Sequence, residues 1–155
     1  MSTNENIIDV LNDLVQINND RVTGYEKAID ESKEDDVDLK GLFRNMANES
    51  QQYTLELSKL IMRLGGQPSD STTKAGKIYR TWMDLKAAIT GSNRKALLDS
   101  CEYGEDAAQK AYEAALSSDA EIDAESRQLI VSQKDSLKKS HDVIKKYRDL
   151  QAAVS

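Results

Sequence analysis

The chain has 155 residues, enough for one domain with a buried core, and we treat residues 1–155 as a single domain. One Pro, one Phe and one Trp stand among many Ala, Leu, Lys, Glu and Asp, which favours helices and argues against a β-sheet protein. The net charge is -6 and no stripe of basic residues is present, so the sequence lacks the electrostatic signature of nucleic-acid binding.

Hydropathy and cysteine usage predict a cytoplasmic protein. No apolar run approaches the ~20 residues that span a bilayer, so we expect no membrane insertion. The N-terminal residues carry neither the positive charge nor the apolar segment of a signal peptide. The single cysteine, Cys101, cannot form an internal disulfide, which is consistent with a reducing compartment.

Two long amphipathic helices are predicted in the first half of the chain. The first covers about residues 4–32, and its apolar stripe is interrupted by Asn18. The second covers about residues 37–64 and stops at a glycine pair that is followed closely by proline. Its stripe contains Glu49, where an apolar residue is expected. The link between the two helices is short, so we expect them to be antiparallel neighbours.

The connection after the second helix is too long for a tight turn. Within it, residues 74–90 carry apolar side chains at spacings of three and four, which predicts a short amphipathic helix inside a long crossover. The members of this stripe are Ile78, Trp82, Leu85 and Ile89. We expect the stripe to anchor the crossover on the bundle, and the alternative is an interface between two chains.

Two further helices are predicted after the crossover. One covers about residues 93–117 and carries Glu105 in its apolar stripe. The last covers about residues 119–152, begins at a Ser-x-x-Glu capping box whose first residue is Ser118, and carries Gln133 in its stripe. The sequence therefore predicts an all-α fold, a four-helix bundle with a long crossover between its second and third helices.

The polar residues that interrupt the stripes are predicted to lie at one level of this bundle. Counting outwards from the first interhelical link places Asn18 level with Glu49, and counting from the last link places Glu105 level with Gln133. A long crossover makes the second and third helices parallel, so these levels coincide halfway along the bundle. The predicted polar layer consists of Asn18, Glu49, Gln52, Glu105 and Gln133.

This layer resembles the ligand layout of ferritin-like carboxylate bundles, in which two helices each supply a Glu and the other two each supply Glu-x-x-His. Here Glu49 and Glu105 are carboxylates at ligand positions, both histidines are missing, and amides stand at Asn18 and Gln133. No motif for nucleophilic catalysis or phosphate binding is present, so we expect a protein without enzymatic activity.

Three interpretations of the layer remain. The favoured one is a degenerate ferritin-type centre that fixes the alignment of a non-enzymatic bundle, which binds no cofactor and acts through a homodimer or another protein partner. The second is a carboxylate protein that binds iron or manganese through Glu49 and Glu105. The third is binding of a small molecule between the helices.

Several segments resemble a bacterial family of small ferritin-like four-helix-bundle proteins that is described as a domain of unknown function. They are Tyr25-Glu26-Lys27-Ala28, Glu49-x-x-Gln52-Tyr53, Leu64-Gly65-Gly66-Gln67-Pro68, Trp82-Met83-Asp84-Leu85-Lys86, and Gly104-Glu105-Asp106 with Tyr112. The resemblance extends over nearly the whole chain, and its most specific part is the Gly-Gly-x-Pro turn followed by the Trp-bearing crossover. It implies a ferritin-like fold in a bacterial cytosolic protein, and it implies no particular activity.

Overall fold

The computed structural model describes residues 3–69, 94–118 and 120–154. Four long helices account for most of them: α1 Thr3–Glu31, α2 Val37–Arg63, α3 Arg94–Leu116 and α4 Ala124–Val154. Since these described residues contain no β-strand, the all-α prediction is confirmed. The short helix predicted over residues 74–90, with Ile78, Trp82, Leu85 and Ile89, lies outside them. None of the described helices is both long and apolar enough to cross a membrane.

The helices pack as two hairpins, α1 with α2 and α3 with α4. The hairpins lie side by side, so that α1 also packs on α3 and α2 on α4, and this last pair makes the sparsest contact of the four. Along α2 and α4, Ser140 pairs with Glu49 and Gln133 pairs with Glu56, so residue numbers fall on one helix as they rise on the other. Contacts between α1 and α3 show the same antiparallel order, and α2 and α3 therefore run parallel.

The apolar core is divided into two clusters along the bundle axis. One cluster contains Leu14 of α1 and Leu57 of α2, together with buried residues of α3 and α4. The other contains Phe43 of α2 and Cys101 of α3, and in it the ring of Tyr25 lies 5.7 Å from that of Phe43. Each helix passes through both clusters, and the short stretch between them is polar on every helix.

The C-terminus of α2 is closed by the predicted glycine pair. Gly65 has a φ of +88°, a conformation that costs a residue with a Cβ about 1–2 kcal/mol. This conformation lets the amides of Gly65 and Gly66 donate to the carbonyls of Met62 and Ile61 at 3.0 and 2.9 Å, which is the Schellman arrangement. The chain then runs along α1, where the side chain of Asn12 bonds the backbone of Gln67 and Ser69.

Gly66 is the point at which this turn meets α1. A Cβ added there would lie 2.7 Å from Cγ2 of Ile8, so Gly66→Ala must displace the Ile8 side chain or the turn, and we expect it to lower the free energy of unfolding by about 1–3 kcal/mol. The matched control is Gly41→Ala in α2, where an added Cβ meets nothing within 4 Å and where Ala favours the helix by about 1 kcal/mol. Urea denaturation followed by circular dichroism compares the two, and equal stabilities would contradict the close approach.

The start of α4 differs from the prediction. The capping box at Ser118 was expected to begin the helix at residue 119, but α4 begins at Ala124. The carboxylate of Asp123 caps it, accepting hydrogen bonds from the backbone amide and the hydroxyl of Ser126 at 3.2 and 2.6 Å. The hydrogen bond from the Ser126 side chain is the main reason that the pKa of Asp123 is lowered. The link between α3 and α4 is therefore longer than expected, and α4 is displaced along α3.

Arg94, the first residue of α3, ties three parts of the fold together. Its guanidinium donates to Asp36 at 2.9 Å and to both carboxylate oxygens of Asp38 at 2.9 and 2.7 Å, and its Nε donates to Gln151 of α4 at 2.9 Å. Asp36 is the N-cap residue of α2, although its side chain makes no capping hydrogen bond. The hydrogen bond from Arg94 is the main cause that lowers the pKa of Asp38 to about 2.

This pairing predicts a specific response to acid. Because the pKa of Asp38 is about 2 in the folded chain and near 3.8 ordinarily, its pairing stabilises the fold above about pH 4, and this contribution is lost as the pH falls towards 2. The side chain is half exposed, so solvent screening keeps the contribution below about 1 kcal/mol. In thermal melts the Tm of the wild type should exceed that of Asp38→Asn at pH 7, and most of this difference should be gone at pH 2, where half of the folded chains have a protonated Asp38. A wild-type advantage that persisted undiminished at pH 2 would contradict this assignment.

Candidate functional site

A buried ionic cluster occupies the polar stretch between the two apolar clusters. At its centre is Arg21 of α1, whose side chain is 1% exposed. Its Nε and Nη2 donate to Oε1 of Glu105 on α3 at 2.9 and 2.7 Å. Nη2 also lies 2.9 Å from Oε1 of Glu49 on α2. One guanidinium therefore links carboxylates from two helices that lie diagonally across the bundle.

The remaining guanidinium donor also has protein partners. Nη1 donates to the hydroxyl of Ser50 at 2.7 Å and to the carbonyl of Met46 at 3.2 Å. The guanidinium carbon lies 5.3 Å from the centre of the Tyr25 ring, within the range of a cation–π interaction. Burial works against the charged form, but the negative charge of Glu105 and Glu49 outweighs it and raises the pKa of Arg21 above its ordinary value.

Glu105 is the more deeply buried of the two carboxylates, with no exposed surface. Its Oε1 accepts the two bonds from Arg21 and a third from the Tyr25 hydroxyl at 2.5 Å. Its Oε2 has no hydrogen-bond partner among the described residues. Burial, reinforced by Glu105, raises the pKa of both the Tyr25 hydroxyl and the Cys101 thiol well above their ordinary values. Tyr25 therefore keeps its proton and donates a hydrogen bond to Glu105, and Cys101 remains a neutral thiol.

Glu49 connects the cluster to the seam between α2 and α4. Its side chain is 24% exposed, and its Oε1 accepts a hydrogen bond from the Ser140 hydroxyl of α4 at 2.8 Å. All four helices thus contribute one side chain at this level, namely Arg21, Glu49, Glu105 and Ser140. Solvent reaches the cluster on the Glu49 side.

A second chain of hydrogen bonds runs from the cluster along the bundle. The Ser50 hydroxyl donates to Asn18 at 2.9 Å, and the Asn18 amide donates to the Tyr112 hydroxyl at 2.9 Å. Tyr112 in turn donates to Oε1 of Gln133 at 2.6 Å, and the Gln133 amide donates to Glu56 at 3.0 Å. Burial raises the pKa of Tyr112, so its hydroxyl stays protonated and can both donate and accept.

Four of the five residues of the predicted polar layer belong to one network of hydrogen bonds and ion pairs, but they do not all lie at the same level of the bundle. Asn18, Glu49 and Glu105 are connected through Arg21 and Ser50 rather than to one another directly. These three residues lie at the level of the ionic cluster or next to it.

The other two predicted members are placed differently. Gln133 meets Tyr112 instead of Glu105, because the late start of α4 displaces it. The residue of α4 that reaches the turn next to Glu105 is His141, whose Nε2 lies 2.6 Å from Oδ1 of Asp106. Gln52 is exposed on α2 and lies outside the network.

Arg21 is the functional residue that sequence reasoning missed. From Asn18, the stripe of α1 can continue by three residues to Arg21 or by four to Val22, and the helix buries Arg21 and leaves Val22 only half-buried. Both steps are allowed by helical periodicity, and the apolar residue was the natural choice. A usable signal was nevertheless present, because a buried cation is one way to stabilise two carboxylates in the apolar stripes of other helices.

The side chains at this level do not fit a dinuclear metal centre of the ferritin type. The guanidinium of Arg21 lies between Glu49 and Glu105, in the space that metal ions would need. Nowhere in residues 3–69, 94–118 and 120–154 do three or more His, Cys, Asp or Glu side chains form a group suited to a metal ion. As arranged, the cluster compensates buried charge within the protein.

Comparisons with known proteins agree with this architecture. Residues 6–118 match the family model described as a domain of unknown function, DUF2383. Among solved structures, the bundle is similar to a mutant of Dps1 from Mycobacterium smegmatis, with a TM-score of 0.80, 16% sequence identity, and coverage of 96% of this chain and 99% of that chain. No curated protein matches the sequence significantly. The fold is therefore ferritin-like, as predicted, and the chain belongs to the DUF2383 family.

Proposed function

We propose that this protein is a non-enzymatic helical bundle that acts by associating with itself, and that its ferritin-type centre is a remnant in which Arg21 takes the place of metal ions. The observation that carries the proposal is the buried guanidinium between Glu49 and Glu105. An arginine is a cation that the chain itself supplies, and it stays charged at every physiological pH. The carboxylates are therefore stabilised without any ion from solution.

The chemistry of the cluster supports a structural role. Arg21, Tyr25 and Glu105 are each at most 2% exposed, so a substrate has no access to them. Cys101, the one thiol, is buried and neutral. A buried polar layer between two apolar clusters also opposes sliding of the helices, since a shift of one turn would move Arg21 or Glu105 into an apolar cluster.

The surface supports association. Seven large apolar side chains are exposed among the described residues, and six of them lie on the two helices α2 and α4. They are Val37, Leu55 and Met62 on α2 and Val131, Val143 and Leu150 on α4. Two of them, Val143 and Leu150, lie seven residues apart and therefore share one face of α4, and exposed apolar residues that share a face are typical of interaction sites.

Sedimentation velocity tests the proposed association. We expect the wild-type protein to pass from monomer to dimer as its concentration rises from micromolar to near-millimolar. A protein that remained monomeric over this whole range would contradict the proposal.

Iron or manganese binding by Glu49 and Glu105 is the second candidate function. It is favoured by Oε2 of Glu105, a buried carboxylate oxygen without a hydrogen-bond partner in the described part of the chain. Calorimetric titration with Fe(II) and Mn(II) distinguishes the candidates. The proposal predicts no binding, whereas uptake of about one ion per chain that is lost in Glu49→Ala would establish the metal-binding candidate instead.

A further inference from the structure

We infer that the seam between α2 and α4 is the surface through which two copies of this chain associate, with their α4 helices antiparallel across a two-fold axis near Ser136. This inference rests on the proposed self-association and assigns it a surface. We call this surface the α2–α4 face, and its central residues are Lys59 and Arg63 of α2 and Leu129, Ser132, Val143 and Leu150 of α4.

Open space along the seam is the first argument. Since α2 and α4 pack less closely than the other neighbouring helices, a groove of about 420 Å³ remains between them. Leu60 and Leu129 supply its apolar surface, and Lys59 and Glu125 are among the charged residues that line it. A groove of this kind can receive apolar side chains from a second helix.

Apolar side chains suited to that groove lie on the same face. Val143 and Leu150 are 39% and 60% exposed, and their spacing of seven residues places them on one stripe of α4. Val143 follows Ser140 by three residues, and Ser140 contacts Glu49 of α2, so the stripe borders the seam. Ser132 and Ser136, which lie beside this stripe on α4, have small side chains, and this allows another helix to approach closely.

The charge pattern of α4 selects a second copy in antiparallel orientation. Residues 138–149 of the helix contain five basic and two acidic side chains, a net charge of +3, whereas residues 124–135 contain two of each and have no net charge. Glu121 and Asp123, in the link just before the helix, give residues 121–135 a net charge of -2. An antiparallel pair places the basic half of each helix against this uncharged half and its acidic link, whereas a parallel pair would bring the two basic halves together. The helix therefore avoids repulsion between like charges only when reversed.

A two-fold axis near Ser136 would allow apolar and ionic contacts to form between the two copies at the same time. Val143 and Leu129 lie seven residues to either side of Ser136, so Val143 of each copy would enter the groove of the other beside Leu129. Lys146 and Glu125 lie ten and eleven residues from the axis, which brings the Lys146 ammonium of one copy near the Glu125 carboxylate of the other. Glu125 already forms an ion pair with Arg63 of its own chain at 2.6 Å, so Lys146 would be its second cationic partner.

The size of the face is sufficient for a stable pair. At ~1.5 Å per residue and ~10 Å per helix diameter, the part of the seam from Ala124 to Leu150 measures roughly 40 by 20 Å. This corresponds to about 800 Å² per partner, which is the area buried in an ordinary specific interface.

A matched pair of substitutions tests the assignment by sedimentation velocity. Val143→Glu places a carboxylate in the inferred interface, and Val131→Glu makes the same change on the same helix at a side chain that is also 39% exposed, but about 120° around the helix axis from Val143. We expect Val143→Glu to weaken dimerisation at least ~100-fold and Val131→Glu to leave it unchanged. Circular dichroism checks that each variant is folded.

The outcomes separate the surface from the proposed function. If the wild type is monomeric, self-association itself is wrong. If the wild type forms a dimer that Val143→Glu does not weaken, or that Val131→Glu weakens equally, self-association stands and the α2–α4 face is overturned. If Val143→Glu fails to fold, a charge exchange decides: Lys146→Glu should weaken the dimer and Lys146→Glu with Glu125→Lys should restore it, whereas absence of restoration would overturn the face.

Discussion

We expect the free energy of unfolding of the Arg21→Met variant to be about 3–5 kcal/mol lower than that of the wild-type protein. Met fills much of the volume of the arginine stem, so the main change is loss of the guanidinium. Glu105 then remains in a site with no exposed surface, without the cation that donates two hydrogen bonds to it. An uncompensated buried charge is among the most destabilising changes that one substitution can make.

Urea denaturation measures this loss, and Arg44→Met is the matched control. Arg44 is exposed on α2, so its replacement should change the free energy of unfolding by less than about 0.5 kcal/mol. The double variant Arg21→Met with Glu105→Leu removes both charges and should recover most of the loss, since an apolar pair can replace a buried ion pair at little cost. If the double variant were less stable than Arg21→Met, the two side chains would not be acting as a pair.

We expect Glu105→Gln to lower the free energy of unfolding by about 3 kcal/mol and Glu49→Gln to lower it by less than about 1 kcal/mol. Both changes replace a carboxylate by an amide of nearly the same shape. Glu105 accepts two hydrogen bonds from Arg21 and one from Tyr25 in a site closed to solvent, so its loss weakens three buried charge-assisted hydrogen bonds and leaves Arg21 paired only with the partly exposed Glu49. Glu49 is 24% exposed, and a glutamine there still accepts the bond from Ser140.

Thermal melts of the two glutamine variants give the comparison, because a loss of 1 kcal/mol lowers the Tm of a chain of this size by about 2–4 °C. Glu105→Gln should therefore melt several degrees below Glu49→Gln. Equal Tm values would mean that the two carboxylates share the charge of Arg21 equally, in contradiction to their different burial.

The helices were largely predictable because their signals are local. The end of α2 is fixed by the conformational freedom of Gly65 and was predicted to within one residue. The start of α4 was not, because the sequence offers two caps of similar chemistry, one at Ser118 and one at Asp123. Which cap is used depends on how α4 packs against the rest of the bundle, and no local pattern contains that information.

Only the carboxylates of the ionic cluster could be predicted from the sequence, for a related reason. Glu49 and Glu105 stand out because a carboxylate in an apolar stripe violates the pattern of its own helix. Arg21 does not stand out, because its burial depends on carboxylates that α2 and α3 supply from distant parts of the chain. Gln52 was included through the i, i+3 spacing of a ligand motif, although that step leads to the exposed side of α2.

The division of the core into two apolar clusters has a consequence for motion. Every helix contributes residues to both apolar clusters, but the two clusters pack separately, one on each side of the ionic cluster. Each end of the bundle can therefore open locally while the other remains folded, and backbone amides should exchange their hydrogens with solvent in two groups. The ionic cluster is the boundary between these groups, and the strength of its hydrogen bonds determines how tightly opening at one end is coupled to opening at the other.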